Sequence, residues 1–230
     1  MTGEQLKEAR ILKGWNQEHA ARRLGVSQTY LSLLEKGKRR APEKLVARAV
    51  RVYGLSESLL PVTPVPDQPP AVNEDKLASE LAALGYPGLS HLKFGGKKKN
   101  PAELLLSALG NDNLDSRLVE ALPWVVLKFP DLNWRWLAQA ARMRDLQNRL
   151  GYVTNVARRL AELRGEREKA RLLAAEESTL ERSRLAREDT LCHESLTEAE
   201  KKWLRKNRPP EARHWRLLTD LSPEQLDHAA

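Results

Sequence analysis

Apolar residues recur at three- and four-residue steps along the chain, and no stretch alternates with the period of two that a half-buried strand requires. The first 60 residues break into short helical segments punctuated by glycine. Leu6, Ala9 and Leu12 set one face of a helix over residues 5–13, which Gly14 ends. Asn16 caps a second helix that runs through Leu24 to Gly25. Ser27 caps a third, over residues 28–36, closed by Gly37. Pro42 opens a fourth that reaches Tyr53 with Leu45, Val46, Ala49 and Val50 inward, and Gly54 ends it. Residues 56–60 form a last turn. Five short helical pieces then share one small core, which is marginal but workable for a domain of this size.

Residues 61–72, PVTPVPDQPPAV, hold five prolines in twelve positions and cannot continue a helix. They read as a semi-rigid, extended linker reaching roughly 3.1 Å per residue. Helical signals resume at once. Asn73 caps a helix ending at Gly85, and Asn100-Pro101 starts one that Gly110 stops. Asp115 opens LDSRLVEALPWVVLKF, which Pro123 interrupts. Asp131 or Asn133 opens a long segment from Trp134 through MRDLQNRLGYVTNVARRLAEL, with Leu146, Leu150, Val153 and Val156/Ala157 in period. Residues 165–187 are charged and helix-prone, with Leu172, Leu173, Leu180 and Leu185 as a thin stripe. Thr197-Glu198-Ala199-Glu200 matches a capping box, and Ser222-Pro223-Glu224-Gln225 is a further start signal. The expected fold is all-α: a helical domain over 1–60, the linker 61–72, and a larger helical domain over 73–230 that carries a long charged helix.

Charge sharpens this division. The chain has a formal net charge of +8 and a pI near 9.7, which points to an anionic partner. Residues 1–60 carry 12 Lys/Arg against 6 Asp/Glu, so most of the excess lies in the first quarter. A single cysteine, Cys192, excludes a disulfide framework and a four-cysteine zinc site. With no signal-peptide core in MTGEQLKEAR and no long apolar run, the expected location is cytoplasmic and no membrane is involved.

The stretch NQEHAARRLGVSQTYLSLLEKGKRR, residues 16–40, has the anatomy of a helix-turn-helix. Leu31 and Leu34, with Val26 before them, should bury against Ala21 and Leu24. That leaves Gln28, Thr29, Ser32 and Leu33 outward, where a major-groove helix presents side chains to base edges. Gln can pair bidentately with adenine, Ser and Thr with several bases, and leucine can touch a thymine methyl. Lys36, Lys38, Arg39 and Arg40 follow as a basic cluster suited to phosphates.

Three further segments complete a pattern: LKEARILKGWNQ, LGVSQTYLSLLEKGKRRAP, and a helix ending in YGL. On these, residues 1–60 resemble the Cro and phage-repressor (XRE-type) family, which implies a five-helix, lambda-repressor-like DNA-binding domain. The resemblance implies that Gln17 contacts phosphate and braces the recognition helix, and that Gln28, Thr29 and Ser32 face bases. It also implies an ion pair, Arg10 with Glu35, locking the first helix to the third. His19-Ala20 departs from the family, which usually has a leucine nearby, and thins the core. Together these readings assign Gln28, Thr29, Ser32 and Leu33 to bases, and Asn16, Gln17, Tyr30, Lys38, Arg39 and Arg40 to phosphates. Family members usually bind near-palindromic sites as dimers, so a double-stranded DNA operator and a homodimer are the expected partners.

No comparable chemistry marks residues 73–230. There is no phosphate-cradling glycine loop, and no second histidine follows Cys192-His193-Glu194 at zinc-protease spacing. Arg208 and His214 sit near the spacing of some helical RNases, but Pro209-Pro210 intervenes, and they read as surface residues. The five histidines are scattered. Neither an enzyme nor a metal nor a cofactor is expected. ALPWVVLKFPDLNWRWL concentrates Trp124, Phe129, Trp134 and Trp136, either as helical core or, for Trp124, Trp134 and Trp136, as an anchor for a protein partner. The charged segment 165–187 could be a dimer coiled coil, a partner-wrapping arm or a solvated helix, and Gly95-Gly96-Lys97-Lys98-Lys99 could add phosphate contacts. NRLGYV, residues 148–153, is loosely similar to segments of bacterial abortive-infection antitoxins, which set a DNA-binding N-terminus before a toxin-neutralising part. The leading expectation is a dimeric repressor. The alternative is an autoregulating antitoxin whose residues 71–230 neutralise a toxin, and a small-molecule effector of that region is a third possibility.

Overall fold

The computed structural model describes residues 1–64, 73–92 and 98–226. Its chain divides into two compact units, Met1–Thr63 and Pro64–Ala230. The expected linker residues 65–72 and loop residues 95–97 lie outside the described residues. The described residues are mostly helical, as the hydrophobic periodicity requires.

The first unit contains α1 (Gly3–Leu12), α2 (Gln17–Leu24), α3 (Gln28–Glu35), α4 (Glu43–Tyr53) and a 3-10 turn, Glu57–Leu59. The fifth helical piece is thus this single 3-10 turn. A capping box between Thr2 and Gln5 starts α1 at Gly3, two residues earlier than the apolar spacing predicts. Leu6, Ala9, Leu24, Leu31, Leu34 and Ala49 form the centre of the core, with Tyr53 across it. Leu12 departs from expectation: it is 85 % exposed. At about 100° per residue it lies roughly 120° round the helix from Leu6, off the narrow face that Leu6 and Ala9 bury.

The second unit contains α5 (Glu74–Ala83), a 3-10 turn (Pro87–Leu89), α6 (Pro101–Leu109), α7 (Ser116–Lys128), α8 (Trp134–Arg142), α9 (Gln147–Leu163) and α10 (Arg167–Glu181). Then follow β1 (Asp189–Thr190), α11 (Glu198–Asn207), α12 (Pro210–His214), β2 (Leu217–Leu218) and a 3-10 turn, Pro223–Gln225. Helix α9 is the axis of the unit: it packs on α7, α8, α10 and α12, and its residues from Gln147 to Ala157 are buried.

Four local expectations are corrected. Pro123 does not interrupt α7, which runs through it. A proline inside a helix costs about 3 kcal/mol, and the burial of Leu122, Trp124, Val125 and Val126 around it offsets that. The long segment from Trp134 is two helices, because Asp145 takes a left-handed conformation (φ 56°) between α8 and α9. The charged helix ends at Glu181 rather than Arg187, and it folds back on α9 instead of projecting. Its stripe Ala170, Leu173 and Leu180 is buried, and Glu177 receives Arg158 at 2.7 Å and Asn155 at 2.8 Å from α9. Finally, β1 and β2 pair in parallel, Asp189 opposite Leu217 and Thr190 opposite Leu218. Two residues per strand are too few to show an alternating pattern in sequence.

Candidate nucleic-acid interface

Helix α3 begins where the Ser27 hydroxyl accepts from the Tyr30 amide at 3.2 Å. Its inner face is Leu31 and Leu34, both in the core of the unit. The opposite face carries the exposed Gln28 and Thr29 and the half-buried Ser32 and Leu33. The four residues expected at bases therefore share one side of a short helix, the side turned away from the core. Tyr30 is half-buried against the core, so only part of its side chain remains for a phosphate.

Below α3 the chain turns at Gly37, and the amides of Lys38 and Arg39 donate to the Leu33 carbonyl at 2.9 and 3.2 Å. This fold-back sets Lys36, Lys38, Arg39 and Arg40, all exposed, beside the C-terminal end of the helix. On α2, Asn16 uses its side-chain oxygen to cap the His19 amide at 2.8 Å, which leaves the amide nitrogen for an anion. Gln17 donates to Glu35 at 2.9 Å.

Arg10 and Glu35 meet as the resemblance implies. The guanidinium donates to both carboxylate oxygens, at 2.7 and 3.0 Å, and to the Trp15 carbonyl at 2.9 Å. Burial pushes the Glu35 carboxyl up, but the hydrogen bonds from Arg10 and Gln17 and the Arg10 charge outweigh it and hold the group below the usual range. The hydrogen bond to Glu35 likewise raises Arg10 despite desolvation. Three helices are thereby tied at one point: α1 through Arg10, α2 through Gln17 and α3 through Glu35. The departure at His19-Ala20 leaves Ala20 buried and His19 exposed, edge-on to Trp15 at 4.9 Å.

One contributor escaped the sequence. Arg48, on α4, donates to the Leu24 carbonyl at 3.0 Å, at the C-terminal end of α2. Its guanidinium fills the space where a Cβ at Gly25 would stand. Gly25 is in the left-handed region (φ 68°), so the turn between α2 and α3 needs glycine both for its backbone and for this approach. A positive side chain at a helix C-terminus is also favourable for the α2 dipole. Nothing in the local pattern around Arg48 signals that contact.

Trp124 and Trp134 are buried in the core of the second unit and Trp136 packs against that core, so the three do not offer the exposed anchor considered from sequence. Trp134 donates to the Pro130 carbonyl at 2.9 Å, and Trp124 meets the Tyr86 ring edge-on at 5.2 Å. The exposed tryptophan is Trp203, on α11. Cys192 is fully buried, and burial pushes its thiol up to about 12. It is a neutral packing group rather than a nucleophile, and among the described residues no cluster of three metal-ligating side chains occurs. Arg208 is not a surface residue: it bonds the Leu217 carbonyl at 2.8 Å and Glu188 at 3.0 Å, while His214 pairs with Glu181.

The NRLGYV segment turns out to be the hub of the second unit. Asn148 exchanges two hydrogen bonds with the backbone of Leu185, at 2.8 and 3.0 Å. Arg149 grips Asp189 through two nitrogens, at 2.8 and 2.9 Å, and donates to the carbonyls of Leu109 and Asn111. Tyr152 donates to the Leu221 carbonyl. These residues fasten the chain beyond α10 onto α9.

No helix among the described residues is long and apolar enough to cross a membrane. No curated protein and no solved structure matches the chain. Residues 3–62, which hold α1 to α4 and the closing 3-10 turn, match the family model of a helix-turn-helix domain.

Proposed function

We propose that the protein is a sequence-specific DNA-binding transcriptional regulator, acting as a dimeric repressor on a double-stranded operator. The observation that carries this reading is the three-helix lock of Arg10, Gln17 and Glu35. It fixes α3 with Gln28 and Thr29 outward and with the basic stretch 36–40 beside it. A rigid scaffold presenting a few adaptable polar groups is what base readout requires, since direction matters more than number of contacts.

In this reading the N-terminal end of α3 enters the major groove. Gln28, Thr29, Ser32 and Leu33 meet base edges, while Asn16, Gln17, Lys38, Arg39 and Arg40 hold phosphates on either side. One unit of this size makes few contacts. Joining two through residues 73–230 raises the effective concentration of the second half-site and multiplies affinity without new chemistry. A bound dimer overlapping a promoter then excludes polymerase.

The antitoxin alternative drew on NRLGYV. Those residues are buried in α9 and spend their polar groups inside the unit. That segment therefore lends no support to a toxin contact, and the antitoxin reading remains the alternative through the other surfaces of residues 71–230.

The test is selection of bound sequences from a random pool of DNA duplexes by the full chain. The expected outcome is a short motif repeated with inverted symmetry and half-sites about one helical turn apart. Binding that enriches no sequence after repeated rounds contradicts the proposal.

A further inference from the structure

The second unit carries an open groove of about 520 Å³ bounded by α7, α11 and the chain from β2 to the last 3-10 turn. Its floor is leucine: Leu114, Leu191, Leu204, Leu218 and Leu221. Its wall includes Trp203, which is 55 % exposed. Large aromatic faces left in contact with water beside an apolar floor are a mark of recognition surfaces.

The charged groups on this groove are one-sided. Glu120, Glu200 and Asp220 line it, and no lysine or arginine does, in a chain that contains 39 of them. Glu200 is committed to the capping box, accepting from the amide and hydroxyl of Thr197 at 2.7 Å. The side-chain carboxylates of Glu120 and Asp220 make neither a hydrogen bond nor an ion pair with any described residue. Most other carboxylates of this unit are paired, as Glu177, Asp189 and Glu211 show. His193, exposed at the edge, is the remaining titratable neighbour besides buried Cys192.

We propose that this groove binds a small organic cation with an apolar or aromatic body. The leucines would take the body, the Trp203 face would stack on it and attract its charge, and Glu120 and Asp220 would supply the counter-charge. The volume lies in the range of small-molecule sites. An anionic ligand would meet two uncompensated carboxylates, and a neutral one would leave them unused. The inference concerns the second unit alone and stands whether or not the first unit reads DNA.

The test uses the full chain with two fluorescent xanthene dyes of similar shape, cationic rhodamine 6G and anionic fluorescein, followed by fluorescence anisotropy. Because the chain as a whole is strongly basic, unspecific charge attraction favours fluorescein. The expected result is the reverse: saturable rhodamine binding, at least about tenfold tighter than fluorescein. The double variant Glu120→Gln, Asp220→Asn should lose about tenfold in rhodamine affinity with an unchanged circular dichroism spectrum. Trp203→Ala, at an exposed position, should weaken it severalfold and gives an independent reading should the double variant misfold. Absence of saturable rhodamine binding, equal or tighter fluorescein binding, or full rhodamine affinity in both variants would overturn the proposal. So would a helical Leu/Lys peptide that binds where rhodamine does not, because the groove would then receive a protein segment.

Discussion

Arg10 grips both oxygens of Glu35, at 2.7 and 3.0 Å, and so joins the first and third helices of the N-terminal unit across 25 residues of chain. Both side chains are largely shielded, 12 % and 2 % exposed, and Gln17 completes the shell around the carboxylate. Removing one partner strands the other away from water, and that asymmetry makes the pair a control point for the orientation of α3.

Glu35→Ala should therefore destabilise the first unit by about 3 kcal/mol. Amide hydrogen exchange localises the effect: protection should fall in α1 and α3 and remain unchanged in α9. Uniform loss across both units, or none, would contradict a local lock.

The same pair makes the first unit sensitive to acid. The folded-state pKa of Glu35 is depressed below its unfolded value, ordinarily about 4.3. Its contribution is therefore fully present above that value and is lost as pH falls through the lower, folded one. Urea unfolding between pH 6 and pH 3, read by exchange in α3, should show this loss in the wild type. In Glu35→Gln the curve should start lower and be flatter.

A second relationship holds the other unit. Gly151, in the middle of α9, lies against the Trp215 ring so closely that a Cβ there would collide with it. Alanine ordinarily stabilises a helix interior relative to glycine by about 1 kcal/mol. Here Gly151→Ala should instead destabilise by about 2 kcal/mol through overpacking, and adding Trp215→Leu should recover part of the loss. An increase in the urea midpoint of Gly151→Ala would mean that the ring has room to move.

Cys192 should be inert. With its thiol buried and pushed up to about 12, iodoacetamide at pH 8 should leave the native protein unlabelled and modify it completely in urea. Rapid native labelling would show that the segment around β1 opens.

What the sequence discloses here is local. Ser27, Asn73, Thr197 and Gly25 each mark a helix boundary through a bond that spans two to four residues, and each performs that role. The Arg10–Glu35 pair was legible through resemblance, because its geometry comes with the helix-turn-helix arrangement. What escaped depends on distant partners. Arg48 caps a helix that ends 24 residues before it. Pro123 sits within α7 because surrounding burial outweighs its local preference. The groove draws on residues from Leu114 to Gln225, which no window of sequence brings together. The tryptophans show the same limit: composition located them and left core and anchor open, and only packing distinguishes buried Trp124 from exposed Trp203.

Phosphate and base contacts should separate cleanly. Arg39→Ala should weaken binding to all duplexes alike and lower the dependence of affinity on salt by about one ion. A change confined to one sequence would place Arg39 at a base instead.

The most direct measurement compares wild type with Gln28→Ala on the selected duplex and on a scrambled one, at one salt concentration. Sequence reading by α3 requires a loss of about 1–3 kcal/mol on the selected duplex and little change on the scrambled one. Equal loss on both, or none on either, would contradict the assignment of α3 as the reading helix.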